Sequence, residues 1–256
     1  MNSRSASMIL AAACAAASAA AHALPLGENA SIELFVGGNG VMPGFFRGQT
    51  APLSSTEPVG QTVYNGLNSK GAYNNRYTAG GEFDYALNSR LTAFGRAAYS
   101  QFDGTTRAAG QFFPADNGAA IQTINARFDD ATAREFDLGA RYSFADGMEV
   151  RPFVGAALGV TRLSSTRASF DNLEDGGMTA VELGRASTVF QQRLETGLTF
   201  SPLANLDLRL TAAASHLDAG RRSDDPNLAL VGLDNARGDV RGHWDYPAEL
   251  GAVWHF

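Results

Sequence analysis

The chain of 256 residues is 45% hydrophobic, carries 28 Gly and 9 Pro, and has a formal charge of -6 at pH 7. The acidic balance speaks against nucleic acid as a partner, and beyond the N-terminus no stretch approaches the roughly 18 uninterrupted apolar residues of a spanning helix. A mean hydropathy of -0.14 excludes neither a soluble β protein nor a barrel that crosses a membrane with strands.

The N-terminus carries Arg4, then an apolar Ala-rich stretch, then Ala21-His22-Ala23, the small-x-small pattern of a signal-peptidase site. Residues 1–23 therefore read as a cleaved secretory signal and 24–256 as the mature domain, with Leu24-Pro25-Leu26-Gly27 breaking the segment at once. The only cysteine, Cys14, lies inside this signal, so the mature chain has neither thiol nor disulfide. Lipidation at Cys14 is disfavoured, because Ala11 stands where attachment sites prefer Leu.

The remainder alternates with the period of a strand, in which successive side chains point to opposite faces. Ile32, Leu34 and Val36 begin the series. Tyr77, Ala79, Gly81, Phe83, Tyr85 and Leu87 follow, opposed by Arg76, Thr78, Glu82 and Asp84; after a turn at Asn88 to Arg90 come Leu91, Ala93, Ala97 and Tyr99. A second hairpin pairs Phe136, Leu138, Ala140, Tyr142 and Phe144 with Val150, Pro152, Val154, Ala156, Leu158 and Val160, turning at Ala145 to Gly147. A third joins Phe190, Leu194, Leu198 and Phe200 to Leu206, Leu208, Leu210, Ala212 and Ala214, turning at Ser201 to Asn205. The last run, Tyr246, Ala248, Leu250, Ala252, Trp254 and Phe256, alternates with Asp245, Glu249, Gly251 and His255.

About eight strands in sequence order predict an all-β, antiparallel up-and-down barrel. The other four connections, roughly Gly38 to Asn75, Asp103 to Ala131, Arg162 to Arg185 and Asp218 to Gly242, read as long structureless loops rich in Gly, Asn, Asp, Ser and Arg. All the short turns fall at one end and all the long connections at the other. That asymmetry predicts a transmembrane barrel, with long extracellular loops and short periplasmic turns. Lipid then owns the apolar face, and closure removes the sheet edges. The expected aromatic girdle is Tyr85, Phe144, Phe200, Trp254 and Phe256 near the periplasmic interface, with Tyr77, Tyr99 and Trp244 near the outer one.

The C-terminal "ELGAVWHF", the "RPFVGAALGV" strand and the hairpin rhythm over the mature chain resemble the small eight-stranded outer-membrane barrels: the transmembrane domain of outer membrane protein A, OmpX and the opacity-type surface antigens. The resemblance implies an outer-membrane location in a Gram-negative bacterium and recognition of the last strand by the barrel-insertion machinery, with Leu250, Trp254 and Phe256 as the assembly signal. Pro247 departs from the pattern, since it removes a ladder donor near the outer rim.

With the apolar set facing lipid, the opposed set faces inward: Glu33, Glu82, Asp84, Arg96, Glu135, Asp137, Arg141, Arg151, Arg193, Glu195, Asp207, Arg209 and Glu249. An eight-stranded barrel is just wide enough for its own side chains, so these charges predict an ion-paired lumen without a continuous pore. A gated ion path through switching Arg-carboxylate pairs is the alternative, which would make the chain a narrow porin-like channel.

A lipid A-modifying enzyme is the third reading, since some barrels of this size work with His and Ser near the outer surface. His216 lies where such a deacylase keeps its catalytic His, with His243 across the last hairpin. The deacylase pattern resembles His-x-Ser, however, and Asp218 occupies the third position; Ser215 points to the opposite face, so a nucleophile is lacking. No catalytic residue, metal or cofactor is assigned.

Asp224 and Asp225, and Asp171, Glu174 and Asp175, match no defined calcium loop and read as solvated charges. Arg221, Arg222, Arg237 and Arg241 are candidates for lipopolysaccharide phosphates. The expected role is a surface or envelope one: adhesion, membrane integrity or a surface antigen. Its partners are outer-membrane lipid and lipopolysaccharide, the insertion machinery, and an extracellular ligand of the loops. A soluble lipocalin-type barrel with its apolar set turned inward is the structural rival.

Overall fold

The computed structural model describes residues 27, 29–38, 45–46, 49–54, 58–64, 72–115, 120–144, 147–171, 178–222, 225–226, 238–239 and 242–256. The expected signal peptide, Cys14, Glu174, Asp175, Asp224, Arg237 and Arg241 lie outside them, as do the side chains of Asp171, Arg221, Arg222 and His243.

In chain order the first strands are β1 (Ala30–Gly38), β2 (Phe45–Phe46), β3 (Gln49–Ser54), β4 (Pro58–Tyr64), β5 (Tyr73–Ala86) and β6 (Leu91–Gly104). Next come β7 (Thr106–Pro114), β8 (Gln122–Phe128), β9 (Ala131–Ser143), β10 (Val150–Leu163), β11 (Thr166–Asp171) and β12 (Met178–Arg185). The last are β13 (Ser187–Leu203), β14 (Leu206–Leu217), β15 (Arg221–Arg222), β16 (Gly238–Asp239), β17 (His243–Asp245) and β18 (Ala248–His255). Eight long strands close a barrel: β1 pairs with β5, then β6, β9, β10, β13, β14 and β18 follow in order, and β18 pairs back onto β1. β17 extends β18 along β14 after a break at Tyr246 and Pro247, where the proline has no donor to give; its carbonyl still accepts from the Ala213 amide at 3.0 Å.

The turns at one end are as short as the strands allow. Asn88 accepts hydrogen bonds through Oδ1 from the Arg90 and Leu91 amides, both at 2.9 Å, an Asx turn that reverses β5 into β6. Gly147 takes a left-handed φ of 71° between β9 and β10, and Leu203 pairs with Leu206 across a two-residue turn.

At the other end the expectation of structureless loops is corrected. A seven-stranded second sheet runs in the order β15, β12, β11, β8, β7, β4, β3. It grows out of the barrel: β6 resumes as β7 after Thr105, β8 leads into β9 through Asp129 and Asp130, and β10 resumes as β11 after Ser164 and Ser165. Its core is apolar, built from Tyr73, Phe102, Ala109, Phe112, Ile124, Ala126, Phe128, Phe170, Val181, Leu183 and neighbours.

The two halves have opposite polarity. Along β9 the inward residues change from Asp137 and Glu135 to Ala133 and Ala131, while the outward ones change from Leu138 and Phe136 to Arg134 and Thr132. In the barrel the exterior is apolar, with Leu138, Leu158, Leu194, Leu210 and Leu250 each more than half exposed. A belt of that extent far exceeds the few hundred Å² of apolar patch a water-soluble monomer shows, and hydrocarbon demands the closed hydrogen bonding that the barrel supplies. A lipocalin-type arrangement would place this set inside, whereas the inside is charged. The fold is therefore a transmembrane antiparallel barrel topped by a sheet with water-soluble polarity.

Candidate functional site

The lumen holds one continuous ion-pair network. Arg76 meets Asp245 and Glu135; Arg96 meets Glu135 at 3.2 Å, Asp137 at 3.0 Å and Glu249 at 2.6 Å. Arg193 joins Glu249 at 2.7 Å to Glu195 at 3.2 Å, and Glu195 passes the chain to Arg141 at 2.7 Å. Arg141 contacts Glu82 at 2.9 Å and Asp84 at 3.4 Å, and Arg209 closes the series on Glu82 at 2.9 Å, Asp84 at 2.8 Å and Glu33. All these groups are buried. Strand alternation puts them there, because each lies in phase with the others on the face opposite the lipid-facing set.

Three phenylalanines, which the sequence reading left out, organise the guanidiniums. Phe35 stands opposite Gly80 on the next strand, Phe94 opposite Gly139 and Phe153 opposite Gly197. A Cβ at any of these glycines would collide with the facing ring, so each ring covers bare backbone. On the rings lie the cations: Arg96 is 4.5 Å from the Phe35 centroid, Arg141 is 4.6 Å from Phe94 and 4.9 Å from Phe153, and Arg209 is 5.9 Å from Phe153. Cation–π attraction of this kind is strongest where water is excluded.

Of the thirteen charged residues singled out from the sequence, eleven enter the network. Arg151 and Asp207 form a separate pair at the rim that carries the short turns, where Asp207 also meets His255 Nε2 at 2.9 Å and the Arg151 side chain is 31% exposed. Arg76 and Asp245 complete the network at its outer end without having been placed in it; their phase with Glu82 and Glu249 was the available signal. Above Arg76, Phe102 stacks at 5.4 Å and begins the apolar core of the second sheet. Between them lies a cavity of about 10 Å³, bounded by Gln191, Ser215 and Leu217 among others, with room for about one water.

Tyr85, Phe144, Phe200, Trp254 and Phe256 sit at the end of the barrel that carries the short turns, and Tyr77, Tyr99 and Trp244 at the end beneath the second sheet. His216 faces outward, its ring 5.2 Å from that of Trp244 and its Nδ1 3.9 Å from Asp218, whereas Ser215 points into the lumen and is buried. Asp225 is not simply solvated, since its Oδ2 accepts from the Glu182 amide at 2.7 Å.

No protein-family model matches the chain, and comparison with curated proteins finds no match. Solved outer-membrane barrels resemble it. Neisserial surface protein A is 12% identical, covering 89% of this chain and 97% of its own, with a TM-score of 0.46. The N-terminal β-barrel domain of Pseudomonas aeruginosa OprF is 13% identical over 90% of this chain and 99% of its own, TM-score 0.31. Ail, the attachment invasion locus protein of Yersinia pestis, is 13% identical over 89% and 99%, TM-score 0.38.

Proposed function

We propose that this chain is an integral outer-membrane protein of a Gram-negative bacterium whose barrel is a non-conducting anchor for a surface-exposed sheet, serving adhesion or another envelope role. The observation that carries the reading is double closure of the lumen: the ion-pair network fills the membrane level and an apolar core fills the level above it. A water path would need a break in both. The aromatic residues at the two barrel ends act as interface anchors, and the last strand, with Leu250, Trp254 and Phe256, is the part read by the barrel-insertion machinery. Exposed Ile121, immediately before β8, and exposed Met178, the first residue of β12, stand where the returning strands of two hairpins of the second sheet begin, apolar groups suited to contact with an extracellular ligand.

Two experiments test it. Detergent-folded protein added to a planar bilayer should insert without conducting; steady openings would replace the anchor reading by the channel reading. Bacteria displaying the chain with Ile121→Ser and Met178→Ser should attach several-fold less to protein-coated and hydrophobic surfaces at equal surface amounts. Unchanged attachment would remove the contact role from the sheet.

A further inference from the structure

The inversion of polarity marks where water begins, and two guanidiniums lie on that line. Tyr99 pairs with Arg134, Arg134 with Arg162, and Arg162 with Thr188, a row running outward-facing across β6, β9, β10 and β13. One row deeper the same strands present Ala97, Phe136, Val160 and Phe190, all apolar and exposed. One row farther out stand Gln101 and Thr132, with Ser164 accepting the Thr132 amide at 2.9 Å.

Arg134 and Arg162 are direct cross-strand neighbours, with Cβ atoms about 4.5–5.5 Å apart by the geometry of an antiparallel pair, and like charges so placed repel. Neither meets a carboxylate among the described residues, although each of the five arginines in the lumen network meets at least two. Beside Arg162 a shallow hollow of about 280 Å³ is bounded by Ala186, Ser187 and Thr188. Two guanidinium forks with hydroxyl donors beside them match the oxygens of a phosphate group, which also cancels the repulsion.

We propose that Arg134 and Arg162 clamp the phosphate of a phosphorylated lipid of the outer leaflet, its acyl chains lying along Phe136, Val160 and Phe190. The apolar row directly beneath the pair is what selects a lipid-borne phosphate over a free one. This inference rests on the outer-membrane reading.

The test uses the full chain folded in neutral detergent, with insertion checked by a heat-dependent gel shift, and binding followed by native mass spectrometry. Bis-phosphorylated lipid A should bind at least ten-fold more tightly than dephosphorylated lipid A, and inorganic phosphate should not compete at comparable concentration. Arg134→Gln with Arg162→Gln should abolish the preference while the gel shift persists; Arg→Lys at both sites should retain part of it. Equal binding of the two lipids, an unaffected double variant, or displacement by inorganic phosphate would each overturn the lipid clamp while leaving the barrel reading intact. Failure of the protein to insert would overturn both.

Discussion

Arg209 on β14 and Glu33 on β1 form an ion pair that passes over the intervening strand β18 at Gly251. A Cβ on Gly251 would strike the Glu33 carboxylate, so the pair can span β18 only because that position has no side chain. Gly251→Ala should cost about 1–3 kcal/mol through overpacking and displacement of the carboxylate. The urea midpoint of the detergent-folded protein reads this. An unchanged midpoint would mean that Glu33 moves aside freely.

Removal of Arg209 should cost more than removal of Glu249. Arg209 serves Glu33, Glu82 and Asp84, whose carboxylate oxygens lie within 4.8 Å of one another. Arg209→Ala strips Glu33 of its ion-pair partner and leaves Glu82 and Asp84 to Arg141 alone, a loss of about 3–5 kcal/mol by analogy with other broken buried pairs. After Glu249→Ala, Arg96 keeps Glu135 and Asp137, and Arg193 keeps Glu195. The two variants unfolded side by side in urea should rank in that order, and the opposite ranking would refute the argument.

The stacked rings predict a second ranking. Phe153 carries Arg141 on its face and Arg209 farther off, while Phe94 carries Arg141 alone. Leucine preserves most of the volume but has no π face, so Phe153→Leu should destabilise by about 1–2 kcal/mol and Phe94→Leu by less. Equal losses at the two sites would assign the effect to packing.

The barrel and the lining of its lumen were legible in the sequence because apolar residues dominate one side of the strands, without interruption in Val150, Pro152, Val154, Ala156, Leu158 and Val160 and broken only by Gln192 and Thr196 between Phe190 and Phe200. The rings of Phe35, Phe94 and Phe153 were not, because an apolar residue in the polar phase looks like noise until its cross-strand glycine is known. The second sheet was missed for a different reason. Alternation persists through Ile124, Ala126 and Phe128, but its sign reverses once the strand leaves the membrane, and small residues and turn formers weaken the signal. Arg134 and Arg162 sit at that reversal and become neighbours only through the register of β9 with β10.

Tyr73, in the apolar core above the membrane, gives the second sheet a pH limit. Burial pushes its hydroxyl up to about 12, the neighbouring Thr166 side chain opposes the shift, and Asp129 and Asp130 add to it. The folded state thus favours the neutral phenol. Its contribution is complete below about pH 10, the ordinary tyrosine value, and is lost as pH rises through about 12. Proteolysis of the second sheet should accelerate over that window, and Tyr73→Phe should flatten the dependence. A profile identical in both proteins would place the titrating group elsewhere.

Deletion of Phe256 tests a role in assembly separately from one in stability. The Phe256 backbone amide donates one hydrogen bond, to the Ala30 carbonyl at 3.4 Å, and its side chain is half-buried at the barrel end, so the folded barrel depends on it little. Loss of one exposed-end hydrogen bond is worth about 1 kcal/mol. Deletion of Phe256 should therefore shift the urea midpoint of refolded protein only slightly, while the folded, heat-shifting fraction recovered from cell membranes falls several-fold if the insertion machinery reads the terminal aromatic. Equal recovery in cells would restrict Phe256 to an interface anchor. A large stability loss in detergent would instead mean that the end of β18 closes the barrel more tightly than its single weak bond to Ala30 indicates.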